Sequence, residues 1–132
     1  MKIDLFQADL MRKTTLTPHR LIHVSARLAC IILFFVWGYI FVSHLYWFLP
    51  PEATPPLWIW FGQSVHLVLL ISYIIPFWNE KSGSIVVIVT AFVFFFLIIS
   101  SGGTIAYFVI SILPAILFFI ASRMKKPDSR EK

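Results

Sequence analysis

Charged residues are absent from most of this chain. Residues 82–122 contain no Lys, Arg, Asp, Glu or His, and residues 28–51 and 53–79 contain no Lys, Arg, Asp or Glu. A helix rises about 1.5 Å per residue and the hydrocarbon layer is about 30 Å thick, so about 20 apolar residues make one crossing. These runs predict a membrane protein and leave no room for a soluble domain among the 132 residues.

Acidic residues and cysteine are also scarce, and this excludes several functions. None of the six Asp and Glu residues lies in an apolar run, so the membrane glutamate of four-helix multidrug exporters and the paired aspartates of intramembrane proteases have no counterpart. Ser111 and His66 form no catalytic pair, because no third group is present to orient a base. We therefore predict no enzymatic activity. Cys30 is the single cysteine, so we expect it to be a packing residue.

The lengths of the runs predict an all-α membrane protein with four transmembrane helices. The third run is twice too long for one crossing, and its one turn-like cluster is Ser-Ser-Gly-Gly at 100–103. The predicted spans are residues 28–49, 57–78, 83–100 and 104–122. We expect an antiparallel bundle over residues 18–122, preceded by a cytoplasmic or interfacial segment, 1–17, and followed by a basic cytoplasmic tail, 123–132.

The positions of the basic residues predict the orientation. With these spans, all eleven Lys and Arg residues lie in the N-terminal segment, the second loop or the tail, whereas the first and third loops have none. By the positive-inside rule, both termini are cytoplasmic. The formal charge of +5 then reflects topology and attraction to anionic lipid at the cytoplasmic face, and we expect no binding to nucleic acid.

The N-terminal part of the first helix carries two histidines. Thr17-Pro18 is a helix-start signal, which predicts a helix from about Pro18 to Phe48. His19, His23 and Arg27 follow at spacings of four, on one face. The two histidines are metal-ligand candidates, but no carboxylate or cysteine completes the set on that face, so we predict no metal site and a polar stripe instead. Spaced apolar residues within 1–17 suggest a short amphipathic surface helix.

Polar side chains inside the spans indicate which faces point inward. Such groups avoid lipid and turn toward other helices. They predict a polar cluster within the bundle, formed by Gln63, His66, Tyr73, Thr90, Tyr107 and Ser111. His66, Thr90 and Ser111 all fall near the midplane by helical rise, so we expect His66 to face the interior as a neutral ring, hydrogen-bonded to Gln63, Thr90 or Ser111.

His66 is also the candidate for a functional residue. In one interpretation it only holds the bundle together; in the other it contacts a haem, a quinone or a small solute. Haem ligation by two histidines within one chain is disfavoured, because helical rise places His44 about 8 Å from His66 toward the outer surface. A haem shared between two copies is an open alternative. We predict no bound cofactor.

Several short stretches carry a resemblance. They are Val65-His66-Leu67, Ile74 to Trp78, Glu80 to Gly83, and Ile110 to Pro114. The region 26–122 resembles a family of small bacterial four-helix integral membrane proteins known as a domain of unknown function, although two residues here separate Ser111 from Pro114, where that family usually has one. The resemblance implies a location in a bacterial inner membrane and no particular activity. We expect a non-enzymatic accessory or scaffold protein, present as a homo-oligomer or within a larger membrane complex.

Overall fold

A computed structural model describes residues 18–49 and 54–124 of the chain. Within these residues all regular secondary structure is helical, and there is no strand. Four long helices follow one another: α1, Pro18–His44, continued by a 3-10 turn at Leu45–Phe48; α2, Leu57–Ser72, followed by a 3-10 turn at Ile75–Phe77; α3, Glu80–Phe92, continued by a π-helix at Val93–Ile99; and α4, Thr104–Met124. The first segment, 1–17, with its expected surface helix, and most of the basic tail lie outside the described residues.

Each of the four helices is long and apolar enough to cross a membrane. With their continuations they contain 31, 21, 20 and 21 residues, against the about 20 that one crossing needs. The predicted all-α class is therefore confirmed, with four helices long and apolar enough to span a membrane. The first helix begins at Pro18 and extends to Phe48, as its start signal and apolar length predicted.

Small residues allow close packing of α4 against both α1 and α3. These two pairs form the most extensive helix contacts, and α2 completes the bundle by packing on α1 and α3. Ala26, Ala91, Ala115 and Ala121 are fully buried. Without side-chain bulk at such positions, helices in a membrane approach closely and gain van der Waals contact. Large rings then fill the remaining interior, among them Phe95, which has no exposed surface.

The turn between α2 and α3 is tight. The side chain of Asn79 accepts a hydrogen bond from the backbone N–H of Ser82 at 3.1 Å, which caps the start of α3. Gly83 lies directly against the backbone of Pro76: a Cβ atom at this glycine would come within 2.5 Å of the proline nitrogen. Only glycine permits this approach, so Gly83 fixes how α3 starts beside the end of α2.

The third span departs from regular α-helix in its second half. After Phe92 the chain continues as seven π-helical residues, and the backbone N–H of Ser100 bonds to the carbonyl of Phe95 at 2.9 Å. Ser100 then takes a left-handed conformation, with φ 39° and ψ 50°, and ends the helix. The predicted turn at this place is confirmed. The π-helix was not predicted, and it sets the directions of Phe94 and Ile98.

Candidate functional site

His66 is buried at the centre of an aromatic cluster. Its exposed fraction is 1%, so the prediction that it faces the bundle interior is confirmed. The ring centroid lies 4.6 Å from that of Phe94, 5.4 Å from that of Phe41 and 6.3 Å from that of Trp37. These three rings come from α1 and from the π-helix, and they surround the imidazole with apolar surface.

The hydrogen bonds predicted for His66 are wrong. Gln63 donates instead to the backbone carbonyl of Phe41 at 3.0 Å, and the hydroxyl of Thr90 donates to the carbonyl of Val86. Ser111 Oγ and His66 Nε2 are both buried and have no partner among the described residues. The physical reason is local: a threonine in a helix has the carbonyl four residues earlier within reach, and its hydroxyl bonds there before it reaches a neighbouring helix.

The rest of the predicted polar cluster is divided. Tyr73 is buried, and its hydroxyl donates to the backbone carbonyl of Ser111 at 3.2 Å, which joins α2 to α4. Tyr107 is 49% exposed and lies at the edge of the bundle, with its ring 6.1 Å from that of Trp37. The expectation that Tyr107 belongs to the interior is therefore wrong. The predicted residues therefore do not form one hydrogen-bonded cluster: Tyr73 bonds to the carbonyl of Ser111, and His66 Nε2 bonds to none of the described residues.

His44 lies beside His66, contrary to the estimate from helical rise. The centroids of the two imidazole rings are 6.4 Å apart, at an interplanar angle of 66°. The rise along one helix axis ignores the direction of side chains and the offset between packed helices, so it overestimated the separation. The ring of His44 also stacks on Trp47, with centroids 4.5 Å apart.

A cavity of about 270 Å³ opens beside these two histidines. Its polar lining consists of His44, Gln63 and His66, and none of the lining residues carries a formal charge. The remaining lining residues are aromatic or aliphatic except for one glycine: Trp47, Trp58, Ile59, Gly62, Phe94, Ile98 and Ile99. Gly62 keeps the space between α2 and the π-helix narrow, because a Cβ there would lie 3.0 Å from Ile98. The π-helix thus supplies one wall of the cavity.

The second pair of histidines lies at the opposite end of α1. The rings of His19 and His23 stack with centroids 6.1 Å apart, and His23 Nε2 is hydrogen-bonded to the carboxylate of Glu80 at the start of α3. A carboxylate missing from the histidine face of α1 is thus provided by another helix. Even so, no three His, Cys, Asp or Glu residues in the described part of the chain are arranged to hold a metal ion. Cys30 is buried, as expected for a packing residue.

No family model, curated protein or solved structure shows a significant match to this chain.

Proposed function

We propose that this protein is a non-enzymatic binding module of the membrane and that its ligand is a small uncharged ring compound, such as a quinone headgroup, held in the cavity beside His66. The observation that carries the proposal is the state of His66. The imidazole is buried among aromatic rings, and its Nε2 has no partner among the described residues. An unpaired polar group in apolar surroundings costs about 1–3 kcal/mol, so in a native structure it calls for an explanation, and a hydrogen bond to a ligand is one.

The lining of the cavity supports an uncharged ring. Trp47, Trp58 and Phe94 offer flat apolar surface, on which rings stack favourably. His44 and Gln63 provide nitrogen and oxygen atoms for hydrogen bonds to a carbonyl or hydroxyl group. His66 Nε2 is closed to a molecule the size of water, so its ring must turn toward the cavity to bond to a ligand. A charged ligand would lose its hydration without meeting an opposite charge, because no lining residue is ionised with His neutral. Quinones are membrane-resident molecules with this combination of ring and oxygen.

The size of the cavity favours a single ring over a macrocycle. Pockets for drug-sized ligands measure about 300–1,000 Å³, and this one is about 270 Å³. His44 and His66 are near enough to consider a shared iron, but Phe94 and Phe41 pack on His66 at 4.6 and 5.4 Å. Rings packed this closely on His66 leave little room beside the imidazole for a macrocycle. We therefore do not propose haem, and an absorption spectrum without a Soret band is the expected result.

Titration with a short-chain quinone tests the proposal. Trp47 and Trp58 line the cavity, so bound quinone is expected to quench tryptophan fluorescence in a saturable manner. His66→Leu removes the polar contact and is expected to weaken binding about tenfold, the effect of one hydrogen bond to a buried group. Leu67→Ala is the matched control, since Leu67 is adjacent on α2 but 46% exposed. Equal binding by both variants, or no saturation in the wild type, would contradict the proposal.

We propose further that the four helices form an antiparallel bundle in a bacterial inner membrane, with both termini cytoplasmic. The distribution of the basic residues supports this orientation. Cysteines introduced in a Cys30→Ser background test it. External reagent is expected to label a cysteine at Glu52 or Gly102 but not one at Lys81 or Asp128; labelling at Lys81 in intact cells would reverse the orientation.

If the protein binds no quinone, an accessory or scaffold role becomes the favoured function. In that case the exposed apolar surface of α1, which includes Phe35 and Tyr39 at 69% and 78% exposure, is the surface expected to contact a second copy or a larger membrane complex. Purification in mild detergent followed by mass measurement of the complex would then identify the partner.

A further inference from the structure

A second cavity lies at the end of the bundle opposite the His66 site. It is a groove of about 570 Å³ between α3 and α4, and it is open at the outer surface of the bundle. Five of its lining residues are apolar: Ile88, Ile116, Phe119, Ile120 and Met124. The sixth is Arg123, an exposed residue in the last turn of α4. The groove is therefore a long apolar trough with a cationic side chain at one end.

We propose that this groove is a binding site for an anionic glycerophospholipid, with one acyl chain along the trough and the phosphate on Arg123. The depth of the groove fits this arrangement. α4 has 21 residues, about 30 Å by helical rise, which matches the hydrocarbon thickness. Arg123 therefore lies at the boundary with the headgroups, and the trough extends from it about 10 Å inward, to Ile116.

The chemistry of Arg123 selects a phosphate. A guanidinium presents two parallel N–H donors that match the oxygens of a phosphate, and it is the usual side chain for this contact. No carboxylate lines the groove. Attraction to the negative end of the α4 dipole explains why an arginine lies in the last turn of this helix. It does not explain the open apolar trough that leads to Arg123.

The excess of basic residues favours a lipid, and not a second copy of the chain, as the occupant of the groove. Basic residues outnumber acidic ones by eleven to six, and at this end of the bundle Glu80, the acidic residue among the described ones, is already paired with His23. A second copy would therefore bring mostly positive charge toward Arg123. An anionic headgroup brings the opposite charge, and its acyl chain needs no hydrogen-bond partner in the trough.

Native mass spectrometry of the full chain in mild detergent tests the site. The protein is mixed with equal amounts of phosphatidylglycerol and phosphatidylcholine that have the same acyl chains. The wild type is expected to retain phosphatidylglycerol preferentially. Arg123→Gln is expected to lower that retention about fivefold, since one basic side chain near anionic lipid contributes about 1 kcal/mol, and to leave phosphatidylcholine unchanged. Arg20→Gln is the matched control, an exposed arginine at the same end of the bundle on α1.

A second variant tests the trough itself. Ile120 is 44% exposed and lines the groove, so Ile120→Trp fills the space without disturbing the core. It is expected to lower retention of both lipids. Equal losses in Arg123→Gln and Arg20→Gln would show diffuse attraction and overturn the proposal. Unchanged lipid retention in Ile120→Trp, with or without loss of a dimer, would also overturn it, and loss of a dimer would assign the groove to a second copy.

Discussion

Replacing His66 by leucine is expected to make the protein more stable. The packing around the ring is apolar, with Phe94, Phe41 and Trp37 at 4.6–6.3 Å between centroids, and leucine suits these surroundings. The substitution removes a buried nitrogen that has no partner among the described residues. Leaving such a group unpaired costs about 1–3 kcal/mol.

One contact of His66 would be lost in the leucine variant, and its loss reduces the expected gain in stability. The backbone of Trp37 lies within reach of the imidazole, and a hydrogen bond between membrane helices averages about 0.6 kcal/mol. The net expectation is that His66→Leu raises the free energy of unfolding by about 1 kcal/mol. His66→Gln is expected to lower it by about 1–2 kcal/mol, because the amide adds a donor pair and an acceptor to a site without partners. Sequence reasoning that pairs His66 with Ser111 or Gln63 gives the opposite order.

Unfolding by sodium dodecyl sulfate in mixed micelles, followed by circular dichroism, measures this difference. The Leu67→Ala variant used in the quinone titration again serves as the surface control. The reasoning is refuted if His66→Leu destabilises the fold by more than about 1 kcal/mol, since Nε2 must then have a partner. A more stable variant that no longer binds quinone would be the trade-off between stability and function that is typical of binding sites.

Three further substitutions test the packing and the turns. Gly83→Ala is expected to lower the free energy of unfolding by about 2 kcal/mol, because the new methyl group meets the backbone of Pro76. Gly38→Ala is the control and should be neutral or slightly stabilising, because nothing lies within 4 Å of a Cβ there. Equal effects of the two substitutions on unfolding would contradict this prediction. Ser100→Gly should add about 1 kcal/mol by relieving the left-handed φ of 39°; a less stable variant would argue against the strain. Glu80→Gln should cost up to about 1 kcal/mol by weakening the partly exposed hydrogen bond to His23. A double-mutant cycle with His23 should recover that coupling, and a coupling of zero would contradict the contact.

Several features of the site followed from residue types and spacing. The burial of His66 was predictable because an imidazole about halfway along an apolar span avoids lipid. The placement of Gln63 near it also held, since the two positions are three apart in sequence and share one helix face. What failed was the choice of hydrogen-bond partners. Sequence spacing shows which groups share a face, but it does not show that a hydroxyl such as that of Thr90 finds a carbonyl on its own helix first.

The positions of His44 beside His66 and of His23 beside Glu80 could not be predicted from spacing along one helix. In both cases the partners belong to different helices, so their distance depends on the offset and rotation between helices. The π-helix at Val93–Ile99 has no sequence signal either: a run of Val, Phe, Leu and Ile is equally apolar on every face and sets no preferred rotation. Its wide turn places Phe94 against His66 and forms one wall of the cavity.

The sequence by itself determined that this chain has four apolar helices, where the turn at Ser100 falls, and that His66 lies inside. These features follow from hydropathy, length and local backbone chemistry, which act over a few neighbouring residues. Only the tertiary structure decided that His66 lies among aromatic rings beside His44, that its Nε2 has no partner in the described part of the chain, and that a groove leads to Arg123. The reason is physical: in a chain this apolar, hydropathy does not distinguish one helix face from another, so the packing of small residues such as Ala91 and Ala115 sets the rotation of each helix.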